Sequence, residues 1–464
     1  MIVRNGMVAF PGQDEFLVRD IRIEQGRVAE IGTGLAGASS ASSSGQEIID
    51  ADGHWVLPGG IDPHVHFYDP GYTHKEDFAH GTAFAAQGGI TTVIDMPCTS
   101  DPPVSDAFNL QAKLSVVSSK ALVDYGFFGG TSRECYDAPG YPERLSEMAD
   151  KVMGVKSYAV SGMEDEWGAL DPWRFLGLLK LCASLKLPAL LHAEDRAFVD
   201  AATAAKLAAG LKGPRDWYEA RPEIAEVLSV MSAVRLAEEA GASLHVVHVG
   251  TAEAAARIGE AASSGVTGET CPQYLAFDVG DFEQQGATLK IAPPIKGAGN
   301  PPELWNLLAS GALSFMASDH APGTEEEKAG SDIWCNSAGI SGTGTILPYV
   351  FSEGYLAGRL SLSRYLQVMS ENAPKRYDFF DRKGSIEVGK DADLVLMDSR
   401  ADWTVNASDF LSKGKLSPFE GRTFRGRVAR TLVRGVTVYE YGKGIRADGG
   451  CGRFITPKRA GERS

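Results

Sequence analysis

The sequence lacks what several large classes of protein require. Its six cysteines (Cys98, Cys135, Cys182, Cys271, Cys335, Cys451) are scattered, with no Cys-x-x-Cys pair, so reduced thiols are expected rather than a disulfide framework. No apolar run approaches the roughly 20 residues needed to cross a bilayer. The opening Met1-Ile2-Val3-Arg4-Asn5-Gly6 has no basic stretch leading into an apolar one, so a cytoplasmic location without a secretory signal is expected. Basic residues are in deficit: 45 Lys and Arg against 60 Asp and Glu leave a net charge of −15, which argues against nucleic acid and against an anionic membrane surface as partners. No internal repeat is visible. What remains is ordinary globular composition, 44% hydrophobic and 23% charged, in a chain of 464 residues that can form one large catalytic domain and a smaller one.

The two ends and the middle differ in pattern. Ile2–Arg4, Val18–Ile23 and Val28–Ile31 read as short strands, and Gly34 to Gly45, rich in Ser, Ala and Gly, as a mobile hairpin loop. From Ile61 onward apolar strands alternate with Ala- and Leu-rich helical stretches. Eight strands are expected, at Gly60–Phe67, Thr91–Met96, Asp124–Phe128, Val152–Tyr158, Ala189–His192, Leu244–Val249, Thr267–Cys271 and Leu313–Asp319. The alternation fits a (β/α)8 TIM barrel, although doubly wound open sheets share it. After Asn372-Ala373-Pro374 strands return: Gly384 to Asp398 reads as a turn followed by an apolar strand, and Ala429–Arg434 and Val436–Tyr439 flank Gly435 as a hairpin. The expected organisation is an α/β chain with a small β-sandwich domain from both termini (residues 1–52 and 380–455) and a metal-dependent barrel between them (53–379).

Chemistry gathers where such a barrel would place it, at the C-terminal ends of strands. His64 and His66 lie two apart on the first strand and present two imidazoles to one point, half of a metal site, or else two hydrogen-bonded core histidines. Lys156 falls near the end of the fourth strand, His192 ends the fifth, His248 the sixth and Asp319 the eighth. Singly, Lys156 reads as a snorkelling surface lysine and His192 and Asp319 as helix caps. Together, four of the nine histidines fall at one mouth. His245 is the weaker candidate, since strand periodicity points it away from Leu244, Val246 and His248. The set amounts to a two-metal constellation of four imidazoles and one carboxylate, needing one more anionic ligand as a bridge.

The motifs Pro58-Gly59-Gly60-Ile61-Asp62-Pro63-His64-Val65-His66, Gly154-Val155-Lys156-Ser157, His192-Ala193-Glu194, His245-Val246-Val247-His248, Glu269-Thr270-Cys271-Pro272-Gln273-Tyr274-Leu275 and Ser318-Asp319-His320-Ala321-Pro322 follow in order along nearly the whole chain. In these the sequence resembles the cyclic amidohydrolases of the amidohydrolase superfamily: hydantoinases, dihydropyrimidinases, allantoinases and dihydroorotases. The resemblance implies that carbon dioxide carbamylates Lys156, supplying the bridging anion. It further implies two divalent ions, zinc foremost. His64, His66 and Asp319 would hold one, His192 and His248 the other. A metal-bridging hydroxide would attack a ring carbonyl while Asp319 shuttles the proton to the leaving nitrogen.

The ring is specified less directly. Dihydroorotases are similar through Asp69-Pro70-Gly71-Tyr72-Thr73-His74-Lys75-Glu76-Asp77, but where they hold the substrate carboxylate with Arg and Asn this chain has Tyr68 and Cys98. Dihydropyrimidinases and D-hydantoinases are similar through Gln273-Tyr274-Leu275, yet Ser161 stands where they carry an oxyanion-stabilising Tyr; Tyr158 is nearer and is either a substitute or core. Ala292-Pro293-Pro294-Ile295-Lys296 and Asp95-Met96-Pro97 resemble allantoinases. An allantoin- or hydantoin-like cyclic ureide is therefore the expected substrate, contacted by Tyr68, Cys98, Ser161 and the loop around Asn336 and Gly339, with Tyr72 and Trp334 as pocket walls. A homodimer or homotetramer follows by resemblance. The competing classes are dihydroorotase or dihydropyrimidinase activity, or a non-catalytic structural homologue on the same fold.

Overall fold

Pro63 has no amide hydrogen to give to a sheet, and the strand that carries it is irregular there. The computed structural model, which describes residues 1–35 and 47–458, sets Gly60–Val65 (β1) parallel to Ile90–Asp95 (β2), with a register shift between Asp62 and Val65. The shift changes which side faces in. Ile61 lies in the inner core with Ile94, Met96 and Phe128, whereas Val65 joins the outer core that packs on the helices.

Parallel strands continue with Asp124–Phe127, extended by Gly129–Gly130 (β3), then Val155–Tyr158 (β4), Ala189–His192 (β5), Leu244–Val246 (β6), Val266–Thr270 (β7) and Phe315–Met316 (β8). Each pairs with the next in sequence order. Val65 pairs with His320 in parallel, and the His66 amide donates to the His320 carbonyl at 2.8 Å, closing a (β/α)8 barrel. Helices cover its outside, and those at Phe78–Gln87, Ala107–Val117, Pro172–Ser184 and Arg196–Ala208 each start from an Asp whose carboxylate accepts a first-turn amide (Asp77, Asp106, Asp171, Asp195).

Regular pairing stops short of the expected ends of β1, β6 and β8. The backbone there turns into the left-handed region, at Tyr68 (φ 57°), His248 (φ 40°) and Asp319 (φ 51°). Such conformations are costly for residues with a Cβ and concentrate at functional sites. The turn at His248 also corrects the periodicity reading. Leu244 and Val246 belong to the outer core, and it is His245 that points inward, stacked on Phe315 at 4.9 Å. His248 reaches the mouth because the strand has already ended.

Strands from both chain ends form one nine-stranded sheet, in the order Gly444–Ile445, Val436–Glu440, Thr423–Val433, Leu394–Thr404, Trp55–Pro58, Ile2–Val8, Leu17–Glu24, Arg27–Gly32, with Ile48–Asp50 beside Ile2–Val8. It encloses a separate core that includes Val3, Ile21, Val56, Leu394 and Leu432. Trp55–Pro58 belongs to this sheet, past the expected boundary at residue 52. The segment before Ile455 leaves it and runs along β3, where the Tyr125 amide donates to Arg453 O and the Ile455 amide to Tyr125 O. The expected hairpin loop of Gly34 to Gly45 falls largely outside the described residues.

Sheet and barrel are joined by a buried ionic knot. Lys383 Nζ lies 2.7 Å from Asp124, 3.3 Å from Asp391 and 2.5 Å from Asp393, and Arg434 also meets Asp124.

Candidate active site

Two histidines of β1 and an aspartate after β8 meet at the barrel mouth. His64 Nε2 is 3.3 Å and His66 Nε2 3.4 Å from Asp319 Oδ1, and one ligand atom from each of the three lies within 4.8 Å of the others. The far side of each ring is held. His64 Nδ1 is 2.6 Å from Glu269 Oε1, and His66 Nδ1 is 3.0 Å from Thr99 Oγ1. His64 Nε2 itself is buried without a hydrogen-bond partner. Asp319 keeps 13% and His66 9% of the side chain exposed, whereas His64 is closed off.

A second histidine pair stands beside the first. His192 Nδ1 is 3.1 Å from His248 Nε2, and the ring of His248 lies 5.4 Å from that of His64. Glu194 Oε2 receives His192 Nε2 at 2.7 Å and is itself clasped by Arg221. Lys156 projects inward from β4, fully buried, and its Nζ has no hydrogen-bond partner. A bare ammonium in such surroundings is costly. Burial accordingly lowers its pKa to about 8 despite the nearby Cys98 and Asp319.

Electrostatics sort these groups by role. Burial pushes the imidazoles of His64, His192 and His248 down, keeping them neutral as metal ligands must be. Burial alone would raise Asp319, but the bond from His66, with the field of His248, holds it down to about 2. Burial opposes a charge on His66, yet Asp319 and Cys98 lift it to about 9, so the metal-free imidazole holds a proton that a metal ion would displace.

The donor set fits two divalent ions. Unpartnered buried His64 Nε2 and Lys156 Nζ lie among imidazole and carboxylate ligands at one mouth, where His192 Nδ1 faces His248 Nε2. The other acidic clusters among the described residues are already filled. Asp124, Asp391 and Asp393 hold the Lys383 ammonium, and Asp77 pairs with His80 and Lys413. Glu76 accepts from His320 Nε2 at 3.2 Å and from the Ser412 hydroxyl, a link between the barrel and the C-terminal part of the chain.

The residues expected to contact substrate divide. Tyr68 is half-buried, and burial together with the charges of Asp319 and Cys98 keeps its phenol protonated. Cys98 Sγ lies 2.9 Å from the Tyr158 hydroxyl and reaches His66. Ser161 is engaged elsewhere, its Oγ accepting the Met163 amide at 3.0 Å. Asn336 is buried, and its carbonyl accepts from Lys290. Gly339 is required by space: at φ 120°, a Cβ would fall 2.0 Å from Ala321 O. Trp334 packs on Trp217 and donates to Leu211 O, and Tyr72 reaches Glu166.

Sequence reasoning gave no role to Glu269, Glu194, Arg221, Thr99 and Glu76. Glu269 was open to detection: it is the one charged side chain of strand Val266–Thr270, and a carboxylate within a barrel strand has a buried task.

Comparison with known proteins follows the same line. The model of the amidohydrolase family matches residues 55–438. The allantoinase of Rubrobacter xylanophilus is 38% identical over 467 residues, covering 100% of this chain and 99% of its own. That of Deinococcus radiodurans is 33% identical over 427 residues, covering 91% and 92%. Among solved structures, the L-hydantoinase (dihydropyrimidinase) from Arthrobacter aurescens superposes with a TM-score of 0.91 at 31% identity, covering 98% of this chain and 99% of its own. The dihydropyrimidinase from Brevibacillus agri gives 0.89 at 32% identity, with 99% of each chain covered.

Proposed function

Because this chain belongs to the amidohydrolase family, we propose that it hydrolyses a ring amide of a cyclic ureide, with allantoin as the first substrate and hydantoins as the second. The observation that carries this reading is the buried, unpartnered Lys156 Nζ set among four imidazoles and Asp319. The similarity to allantoinases over the whole chain supports the five-membered ureide.

His64, His66 and Asp319 would hold one divalent ion, His192 and His248 a second, and Lys156, as its carbamate, would lie between them. Zinc suits this mix of imidazole and oxygen ligands. When bound, the ions supply Lewis acidity to the scissile carbonyl and lower the pKa of the attacking water.

The chain's own residues do the rest. Glu269 and Glu194 fix the orientation of His64 and His192. Lys156 has the lowered basicity that leaves part of it as the free amine able to add carbon dioxide. Asp319 faces the mouth, takes a proton from the attacking water and delivers it to the departing ring nitrogen. Tyr68 and Cys98 offer no cation to a substrate carboxylate, which disfavours dihydroorotate. The intact ligand set disfavours a non-catalytic scaffold.

A homodimer or homotetramer is part of this reading. Helix Arg196–Ala208 buries only Val199, and half of the exposed large apolar side chains among the described residues fall between Trp173 and Met231. Exposed apolar side chains gathered on these helices are what a subunit interface would cover. The scattered free cysteines support a cytoplasmic location, and none of the described helices is long and apolar enough to cross a membrane.

The test is hydrolysis of allantoin, hydantoin, 5-substituted hydantoins, dihydrouracil and dihydroorotate by protein supplied with metal and bicarbonate, beside Asp319→Asn. Turnover of a five-membered ureide, abolished in the variant, is expected. Full activity of a metal-replete Asp319→Asn would remove the proton-shuttle role, and dihydroorotate as best substrate would overturn the specificity.

A further inference from the structure

The closed pole of the barrel, opposite the metal-ligand histidines, carries a buried cation that no carboxylate answers. Arg376 ends the short helix Asn372–Arg376, which lies under the N-terminal ends of β6 and β8. Its Nη1 donates at 2.5 Å to the hydroxyl of Ser243, one residue before β6, and Asn372 Nδ2 donates at 2.8 Å to Ser314 O, one residue before β8. The remaining nitrogens of Arg376, Nε and Nη2, are buried and meet no acceptor among the described residues. Other buried guanidinium groups are satisfied. Arg221 clasps Glu194, and Arg364 gives to Leu308 O, Leu313 O and Gln367 Oε1.

A second donor stands beside this one. Tyr377 is almost fully buried, its ring 5.2 Å from that of Phe128 and 6.1 Å from that of Phe315, and its hydroxyl too has no partner among the described residues. Burial, with the charge of Glu269, keeps the phenol protonated against the field of Arg376, so it remains an O–H donor.

The chemistry of these donors selects what they bind. Nε–H and Nη2–H lie on one edge of the planar guanidinium and point the same way, the fork with which arginine takes anions. Water accepts hydrogen bonds but brings no charge, and a guanidinium does not shed its proton at neutral pH. A desolvated cation therefore calls for a counter-charge. The inner core around Tyr377 is apolar, with Ile61, Met153 and Phe315, so one positive charge calls for one negative charge and no more.

We propose that Arg376 and Tyr377 hold a small monovalent anion, of the chloride class, at the closed pole of the barrel, bonded by Nε, Nη2 and the phenol hydroxyl. Arg376 keeps part of its surface exposed, which gives the ion a route to solvent. The ion offsets the field that Arg376 puts on His245, the second histidine that Glu269 holds. It is independent of which ureide the mouth opens.

The experiment follows thermal unfolding of the metal-loaded, full-length protein at constant ionic strength as chloride replaces gluconate, for wild type, Arg376→Leu and Tyr377→Phe. Wild type is expected to gain about 2 °C in Tm and then saturate, since an ion that binds only the folded state stabilises it. Arg376→Leu should unfold no earlier than wild type without chloride, having lost an uncompensated charge, and should not respond to the ion. Tyr377→Phe, which keeps the fork, should need severalfold more chloride for the same shift. Crystals soaked in bromide should show an anomalous peak beside Arg376 Nε and Nη2. Equal chloride responses in wild type and either variant overturn the site. A wild type without response assigns the donors to water and overturns it too, and a bromide peak without a response in solution is binding at crystal concentration only.

Discussion

Nδ1 of His64 lies 2.6 Å from Oε1 of Glu269, and neither side chain has measurable contact with solvent. The other oxygen of Glu269 is 3.1 Å from His245 Nε2, so one carboxylate anchors two inward histidines of different strands. Burial pushes the carboxyl up and the His64 imidazole down, and a cation at Nε2 would settle their shared proton on Nδ1. Partners of this kind set ligand orientation and basicity, and their loss typically weakens metal binding by about 10- to 100-fold. Glu269→Gln is expected to release metal to a competing chelator correspondingly sooner, while circular dichroism stays native. Retention equal to wild type would remove the anchoring role.

Metal binding should depend on pH through His66. Its pKa in the metal-free fold is raised to about 9 by Asp319 and Cys98, against the effect of burial. Below about pH 9 the imidazole holds a proton that an incoming ion must displace, so apparent affinity should rise with pH up to that point and then level. Asp319, held near 2, stays ionised throughout and adds no slope. Calorimetry in buffers of different ionisation enthalpy should show about one proton released per ion at that site near pH 7. No proton release would contradict the pairing.

Lys156 should show its own pH signature. The free amine adds carbon dioxide, and burial lowers the amine's pKa to about 8. At fixed dissolved carbon dioxide, reactivation of metal-free enzyme should therefore quicken as pH rises through about 8 and plateau above it. Lys156→Met should bind metal poorly and remain inactive with or without bicarbonate. Equal reactivation of wild type in carefully decarbonated buffer would exclude the carbamate.

Stability should be most sensitive away from the mouth. Lys383 is the cation among buried Asp124, Asp391 and Asp393, with Arg434 and Arg382 at the periphery. Removing one partner of a buried ion pair costs roughly 3–5 kcal/mol because the remaining charge stays desolvated. Lys383→Met is expected to lose about that much in urea unfolding, with normal metal content in the fraction still folded at low urea. A change below about 1 kcal/mol, the range of an exposed pair, would show that the network is hydrated.

The architecture was legible because its cause is local. Alternating apolar strands and helical stretches need no tertiary knowledge to read, and all eight barrel strands lie within or overlap the expected segments. The mouth was legible for a related reason: histidines and Lys156 at strand ends fall at one pole of any barrel. What escaped depends on backbone detail and on long separations. The bulge at Pro63 that aims His64, and the left-handed turn that brings His248 round, override period-two counting. Glu269 lies 205 residues from His64, and no spacing rule connects them. Ser161, Asn336 and Gly339 were read by position alone, and local hydrogen bonds and space decide their surroundings.

Glu76 joins His320, the neighbour of Asp319, to Ser412. The ribosome makes these residues in the order 76, 320, 412, so the seat of Asp319 is completed only when the chain is nearly finished. A nascent barrel carries every proposed ligand well before Ser412 emerges, yet it lacks the hydroxyl that completes the hydrogen bonding of Glu76. Chains interrupted between the barrel and Ser412 are therefore expected to lack the full support of Asp319 and to be less active per bound metal than the full-length chain.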